Sequence, residues 1–128
     1  MEKLLIVDDE EIELDGMAEL IDWPSYGYEL VGTAINGKRG LALIQEKQPD
    51  IVITDIKMPV MDGLEASKKI RELPEGKGKD IPIIAMTANA FVEDKEKTKE
   101  AGMNAHLTKP VNREEIIRVL AAYWKNKG

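Results

Sequence analysis

Polar groups able to do chemistry stand at the carboxyl ends of apolar runs in this chain. Asp8-Asp9 follow Leu4-Leu5-Ile6-Val7, Asp55 closes Ile51-Val52-Ile53-Thr54, Thr87 follows Ile81 to Met86, and Lys109 follows Ala105 to Thr108. Each run is short and ends abruptly, and all but Ala105 to Thr108 are largely apolar or β-branched, as strands in the interior of a parallel sheet are. Open parallel sheets bind ligands at the carboxyl ends of their strands, so these groups would share one edge. Carboxylates crowded together repel, which raises proton affinity unless a cation compensates. Magnesium prefers oxygen ligands and uses few carboxylates plus phosphate oxygens. Asp8, Asp9 and Asp55 therefore suggest a Mg²⁺ site that works on a phosphoryl group. Asp55 can serve as the nucleophile and form an acyl phosphate. The Lys109 ammonium and the Thr87 hydroxyl could align and neutralise the peripheral oxygens. Ordinary readings stand beside these: a solvated helix start at Asp8-Asp9-Glu10, a helix cap at Thr87, a surface lysine at Lys109.

The elements that must position these groups follow from the pattern between them. Leu14, Met17, Ala18 and Ile21 recur at helical spacing and predict a helix from Glu11 to Ile21, broken by Asp22-Trp23-Pro24-Ser25-Tyr26-Gly27. Glu29 to Ala34 reads as a strand, and Asn36-Gly37 as the turn into a helix holding Leu41 and Ile44, which Pro49 closes. Beyond Asp55, Gly63 to Glu72 predicts a helix with one buried edge, and the loop from Pro74 to Lys79 is too short for a domain linker. The segment Phe91 to Ala101, charged at all but one position from Glu93 to Glu100, predicts a loosely held helix with a solvated face. Asn112 can cap a last helix whose buried stripe is Ile116, Leu120 and Tyr123, with Trp124 as core or contact residue. Strands alternate with helices throughout, which implies right-handed βαβ crossovers and an α/β fold with helices on both faces of a parallel sheet.

At 128 residues the chain reads as one domain, 1–128, large enough to bury a core without staples. A formal charge of -6 argues against direct nucleic-acid or membrane binding, both of which favour a basic face. With no cysteine there is neither a disulfide frame nor thiolate chemistry, which fits the cytoplasm. The amino end does not read as a signal peptide, and no apolar run approaches membrane-spanning length.

The motifs LLIVDDE, DIVITDIKMPVMDG, IIAMTANA and HLTKP, in this order and spacing, resemble the receiver domains of two-component response regulators over essentially the whole chain. The resemblance implies a flavodoxin-like (βα)5 three-layer sandwich with strand order 2-1-3-4-5. It implies Asp55 as phosphoacceptor, Asp8 and Asp9 as the acidic pair holding Mg²⁺, and a backbone carbonyl of Lys57 on the metal. It further implies Thr87 as the switch hydroxyl, Lys109 as the phosphate-binding lysine, and a cis Lys109-Pro110 peptide. The donor would be a phosphohistidine on a sensor histidine kinase or a histidine phosphotransfer protein. Such a domain catalyses its own phosphorylation and dephosphorylation, shifts its helix 4/strand 5 face, and meets a second copy or an effector through helix 4, strand 5 and helix 5. Lys57 and Asn89, two residues beyond Asp55 and Thr87, would tune the lifetime of the phosphoryl group. His106, the lone histidine, falls where many receivers carry an aromatic switch residue; a switch role and a half-exposed strand histidine both stay open.

Rival readings are an aspartate-nucleophile phosphatase of the haloacid-dehalogenase type, a flavodoxin-fold nucleotide or flavin module, and a receiver-like scaffold that never takes phosphate. The phosphatase wants a second Asp where Lys57 stands, and Asp8-Asp9-Glu10 would repel a bound phosphate in the module. The chain reads as a stand-alone regulator or a piece of a longer one. Were the parent a hybrid sensor kinase, it would be a histidine kinase.

Overall fold

Side chains alternate across each strand, and here both sides are apolar, so the sheet must be covered twice. The computed structural model describes residues 1–58, 60–74, 78, 80–87 and 95–123. Among them the order is β1 (Glu2–Val7), α1 (Glu11–Leu20), a 3-10 turn (Trp23–Tyr26), β2 (Tyr28–Ala34), α2 (Gly37–Lys47), β3 (Ile51–Asp55), α3 (Gly63–Arg71), β4 (Ile83–Thr87), α4 (Lys95–Glu100), β5 (Ala105–Thr108) and α5 (Arg113–Ala122). The strands are parallel and lie in the order β2-β1-β3-β4-β5, as the resemblance implied.

The two faces are read off the alternation. Leu4, Ile6, Ile53, Ile84, Met86 and Leu107 point to one side, where Leu14 and Met17 of α1 and Ile116 and Leu120 of α5 meet them. Leu5, Val7, Val52, Ile83 and Ala85 point to the other, where Leu43 and Ile44 of α2 and Ile70 of α3 meet them. Each such side chain contributes roughly 1.5–3 kcal/mol when withdrawn from water, so the layers rather than local propensity hold the helices. Asn36, Asp62 and Asn112 cap α2, α3 and α5 by accepting from the backbone N–H of Arg39, Glu65 and Glu115, each at 2.8 Å.

The elements differ from expectation mainly at their ends. β2 begins at Tyr28, which pairs with Glu2 and whose buried hydroxyl donates to the Leu120 carbonyl at 3.0 Å. β4 begins at Ile83, because Pro82 has no N–H to donate; its carbonyl instead accepts from the Val52 N–H. The stretch after α1 becomes a 3-10 turn that buries Trp23, whose indole N–H donates to the Ala18 carbonyl. In α4 the one uncharged position, Thr98, is 1% exposed, so the helix is seated by that side chain while Glu96, Lys97, Lys99 and Glu100 face water. The readings of Pro59, Ala88, Asn89 and Trp124, and those on 75–77, 79 and 91–94, lie outside the described residues.

Candidate functional site

The parallel register sets the strand ends side by side. Val7 pairs with Thr54, Asp55 with Met86 and Thr87 with Thr108, so Asp8, Asp55, Thr87 and Lys109 converge on one edge. Asp8 is wholly buried. Its Oδ1 accepts from the Glu10 N–H at 3.0 Å, orienting the carboxylate at the start of α1. Asp9 is half-buried, and oxygens of Asp8, Asp9 and Asp55 lie within 4.8 Å of one another. Asp55 is only 9% exposed. Gly63, the first residue of α3, allows the helix to approach that close: a Cβ there would collide with the Asp55 carbonyl oxygen.

Lys109 closes the site from the opposite side. Its backbone N–H donates to the Thr87 carbonyl at 2.8 Å, and the Lys109–Pro110 peptide is cis. The ammonium lies 3.0 Å from Asp8 Oδ2, 3.2 Å from Asp55 Oδ2 and 2.8 Å from Glu13 Oε2. Burial would lower the affinity of this amine for its proton, but the hydrogen bonds to Glu13 and Asp8 and the charge of Asp55 outweigh it, so the pKa rises above its ordinary value. Asp55 moves the other way from a typical paired acid. Burial pushes its carboxyl up to about 6, Lys109 only partly offsets this, and the charges of Asp8 and Asp9 add to the rise. The donor set is all carboxylate oxygen, crowded and short of positive charge, which is what a hard divalent cation suits and a soft one does not.

The structure thus brings together Asp8, Asp9, Asp55 and Lys109, with Thr87 buried at the adjoining strand end. Lys57 sits just past β3 with an exposed side chain. His106 does not join the cluster. It lies three residues before Lys109, half-buried, with Nε2 at 2.8 Å from Thr98 Oγ1 on α4. Two participants escaped the reading of the sequence. Glu13 is one of several acids on an amphipathic helix, and Thr98 is the one uncharged residue in a charged run. The only signal for either was position: Glu13 in the first turn after the acidic pair, Thr98 as the single uncharged residue.

With this geometry, likeness to known proteins can be placed on particular residues. The profile of the response regulator receiver domain matches residues 4–121. The uncharacterized transcriptional regulatory protein YesN of Bacillus subtilis is 42% identical over 120 residues, which are 94% of this chain but 32% of that protein, so the chain spans about a third of its length. The solved receiver domain of sensor histidine kinase PA1611 from Pseudomonas aeruginosa, described with a magnesium ion in its active-site cleft, is 32% identical with a TM-score of 0.81, covering 95% of this chain and 96% of that one. The chemotaxis response regulator CheY4 of Vibrio cholerae is also 32% identical, with a TM-score of 0.84 over 97% of this chain and 99% of that one. The matched span begins within the first strand and runs into the fifth helix, taking in every residue of the cluster, and the chain belongs to the response regulator receiver domains, the phosphoacceptor switches of two-component signalling.

Proposed function

We propose that Asp55 is the phosphoacceptor and that it takes its phosphoryl group from a phosphohistidine of a sensor histidine kinase or histidine phosphotransfer protein. One observation carries the assignment: the Asp55 carboxylate, nearly buried, is flanked by Asp8 and Asp9 within 4.8 Å and by the Lys109 ammonium at 3.2 Å. A carboxylate oxygen of Asp55 attacks phosphorus, the P–N bond breaks, and its electron pair leaves with the imidazole. Asp8, Asp9 and Asp55, with the backbone carbonyl of Lys57, would hold Mg²⁺. When bound, the ion neutralises the charge on the transferring group. Lys109 binds a peripheral oxygen of the phosphoryl group, and the Thr87 hydroxyl moves onto another, coupling the site to the α4/β5 face with His106 as the responding side chain. Water later cleaves the acyl phosphate, returning the Asp55 carboxylate and releasing inorganic phosphate, with Lys57 and Asn89 controlling its approach. The domain spans 1–128 and works in the cytoplasm, alone or within a longer regulator or hybrid kinase, and meets an effector or a second copy through α4, β5 and α5.

Intact mass after incubation with Mg²⁺ and acetyl phosphate tests this reading. The expected result is one added phosphoryl group that is absent in Asp55→Asn and absent with EDTA. No adduct, together with no binding of beryllofluoride, would instead favour a phosphate-independent scaffold.

A further inference from the structure

An ammonium has three N–H donors, and the Lys109 ammonium faces three carboxylates: Glu13 at 2.8 Å, Asp8 at 3.0 Å and Asp55 at 3.2 Å. Two of these belong to the triad whose oxygens fit a divalent cation, and Glu13 does not. A cation held by Asp8 and Asp55 draws on the same oxygens that hold Lys109, and it repels the ammonium at short range. Lys109 would then lose its grip on both acids, while Glu13 stays committed to it. Glu13 is placed for that work. It stands in the first turn of α1, anchored by a helix whose Leu14 and Met17 are buried in the core, and its side chain is 43% exposed, so it reaches the lysine from outside the metal cluster.

We propose that Glu13 is a positioning residue for Lys109, holding the ammonium at the mouth of the site once a divalent cation occupies Asp8, Asp9 and Asp55. The inference rests on the reading of Asp55 and the triad given above. Glu13 touches neither the phosphoryl group nor the metal; it acts through Lys109 alone. It also links α1 to the β5–α5 connection across the site, since the lysine it grips is covalently part of that connection.

Phosphorylation by acetyl phosphate at saturating Mg²⁺, with Mg²⁺ affinity measured separately by titration, tests the role in Glu13→Ala, Glu13→Gln, Lys109→Ala and the double variant. The expected result is a rate about 10- to 100-fold lower in Glu13→Ala, since a displacement of about 1 Å in a reacting geometry can cost about 100-fold. Glu13→Gln keeps an oxygen acceptor and recovers most of the rate, and Mg²⁺ affinity stays near that of the wild type. In the Lys109→Ala background the Glu13→Ala change has no further effect, because residues that act as a unit are not additive. A rate unchanged in Glu13→Ala, or a loss of equal size with and without Lys109, overturns the role of Glu13 while leaving Asp55 as acceptor. Absence of any adduct in the wild-type protein overturns the underlying reading and this one with it.

Discussion

Burial sets the character of Asp55. Its carboxyl is held up at about 6 chiefly by loss of water, against an ordinary carboxylate near 3.8, so ionising it costs the folded state more than the unfolded one. The sign follows: the contribution to stability is full below the unfolded pKa and is lost as pH rises through the folded value, between about 4 and 7. A shift of this size corresponds to on the order of 1–3 kcal/mol. Asp55→Asn should therefore melt at a higher temperature than the wild type at pH 7 without metal, and the difference should shrink as pH falls toward 4. Thermal unfolding across that range checks it, and an Asn variant less stable at pH 7 would show that the Lys109 ion pair outweighs desolvation. The acids of the site were legible because each closes an apolar run, and a run's end is a local property. Glu13 was not, because the direction of a helix side chain relative to a loop 96 residues away has no local signature.

Helix α4 shows how one residue can decide the fate of an element. Its exposed positions are charged, while Thr98 is buried with its hydroxyl 2.8 Å from His106 on β5. Immediately beyond it, the turn is tied to α3 by the Ser67 hydroxyl, which donates to the Ala101 carbonyl at 2.7 Å. The Arg71 guanidinium also ties it, donating to the Gly102 carbonyl and to Asn104 Oδ1. The amino-terminal side of β5 is thus braced, and among the described residues of α4 Thr98 is the buried one. Thr98→Val keeps the shape and removes the hydroxyl, so it should weaken the seating of α4 by about 0.5–1.5 kcal/mol. Backbone hydrogen exchange reads this out: amides of 97–103 should exchange several-fold faster with β1 and β3 unchanged, and equal protection in both proteins would mean the bond contributes nothing. The charged run and its one uncharged position were readable in the sequence, but that this threonine would be buried against the lone histidine required α4 to pack beside β5.

At the scale of the whole molecule, two apolar cores clasp a parallel sheet and leave one edge acidic. The net charge is -6, and the charges that matter for the site are the few gathered at that edge. A ligand that binds only the folded state stabilises it by mass action, about 2.7 kcal/mol at a concentration 100 times its dissociation constant. Mg²⁺ should accordingly raise the melting temperature of the wild type in a saturable way, whereas Asp9→Asn and Asp55→Asn should respond weakly. Calorimetric melts over a magnesium series check this, and an equal response in all three proteins would place the ion elsewhere.

Legible in the chain alone were the alternation of strands and helices, the turn at Asn36-Gly37, the cap at Asn112, and the acids and lysine that end the strands. Those features depend on periodicity and on residues adjacent in the chain, so they are local properties of the sequence. It took the folded chain to show that Lys109 is shared among Asp8, Glu13 and Asp55, that Gly63 lets α3 approach the Asp55 carbonyl, and that His106 turns to Thr98 rather than to the acidic edge. Each is a contact between segments far apart in the chain, and such contacts are set by how the layers pack.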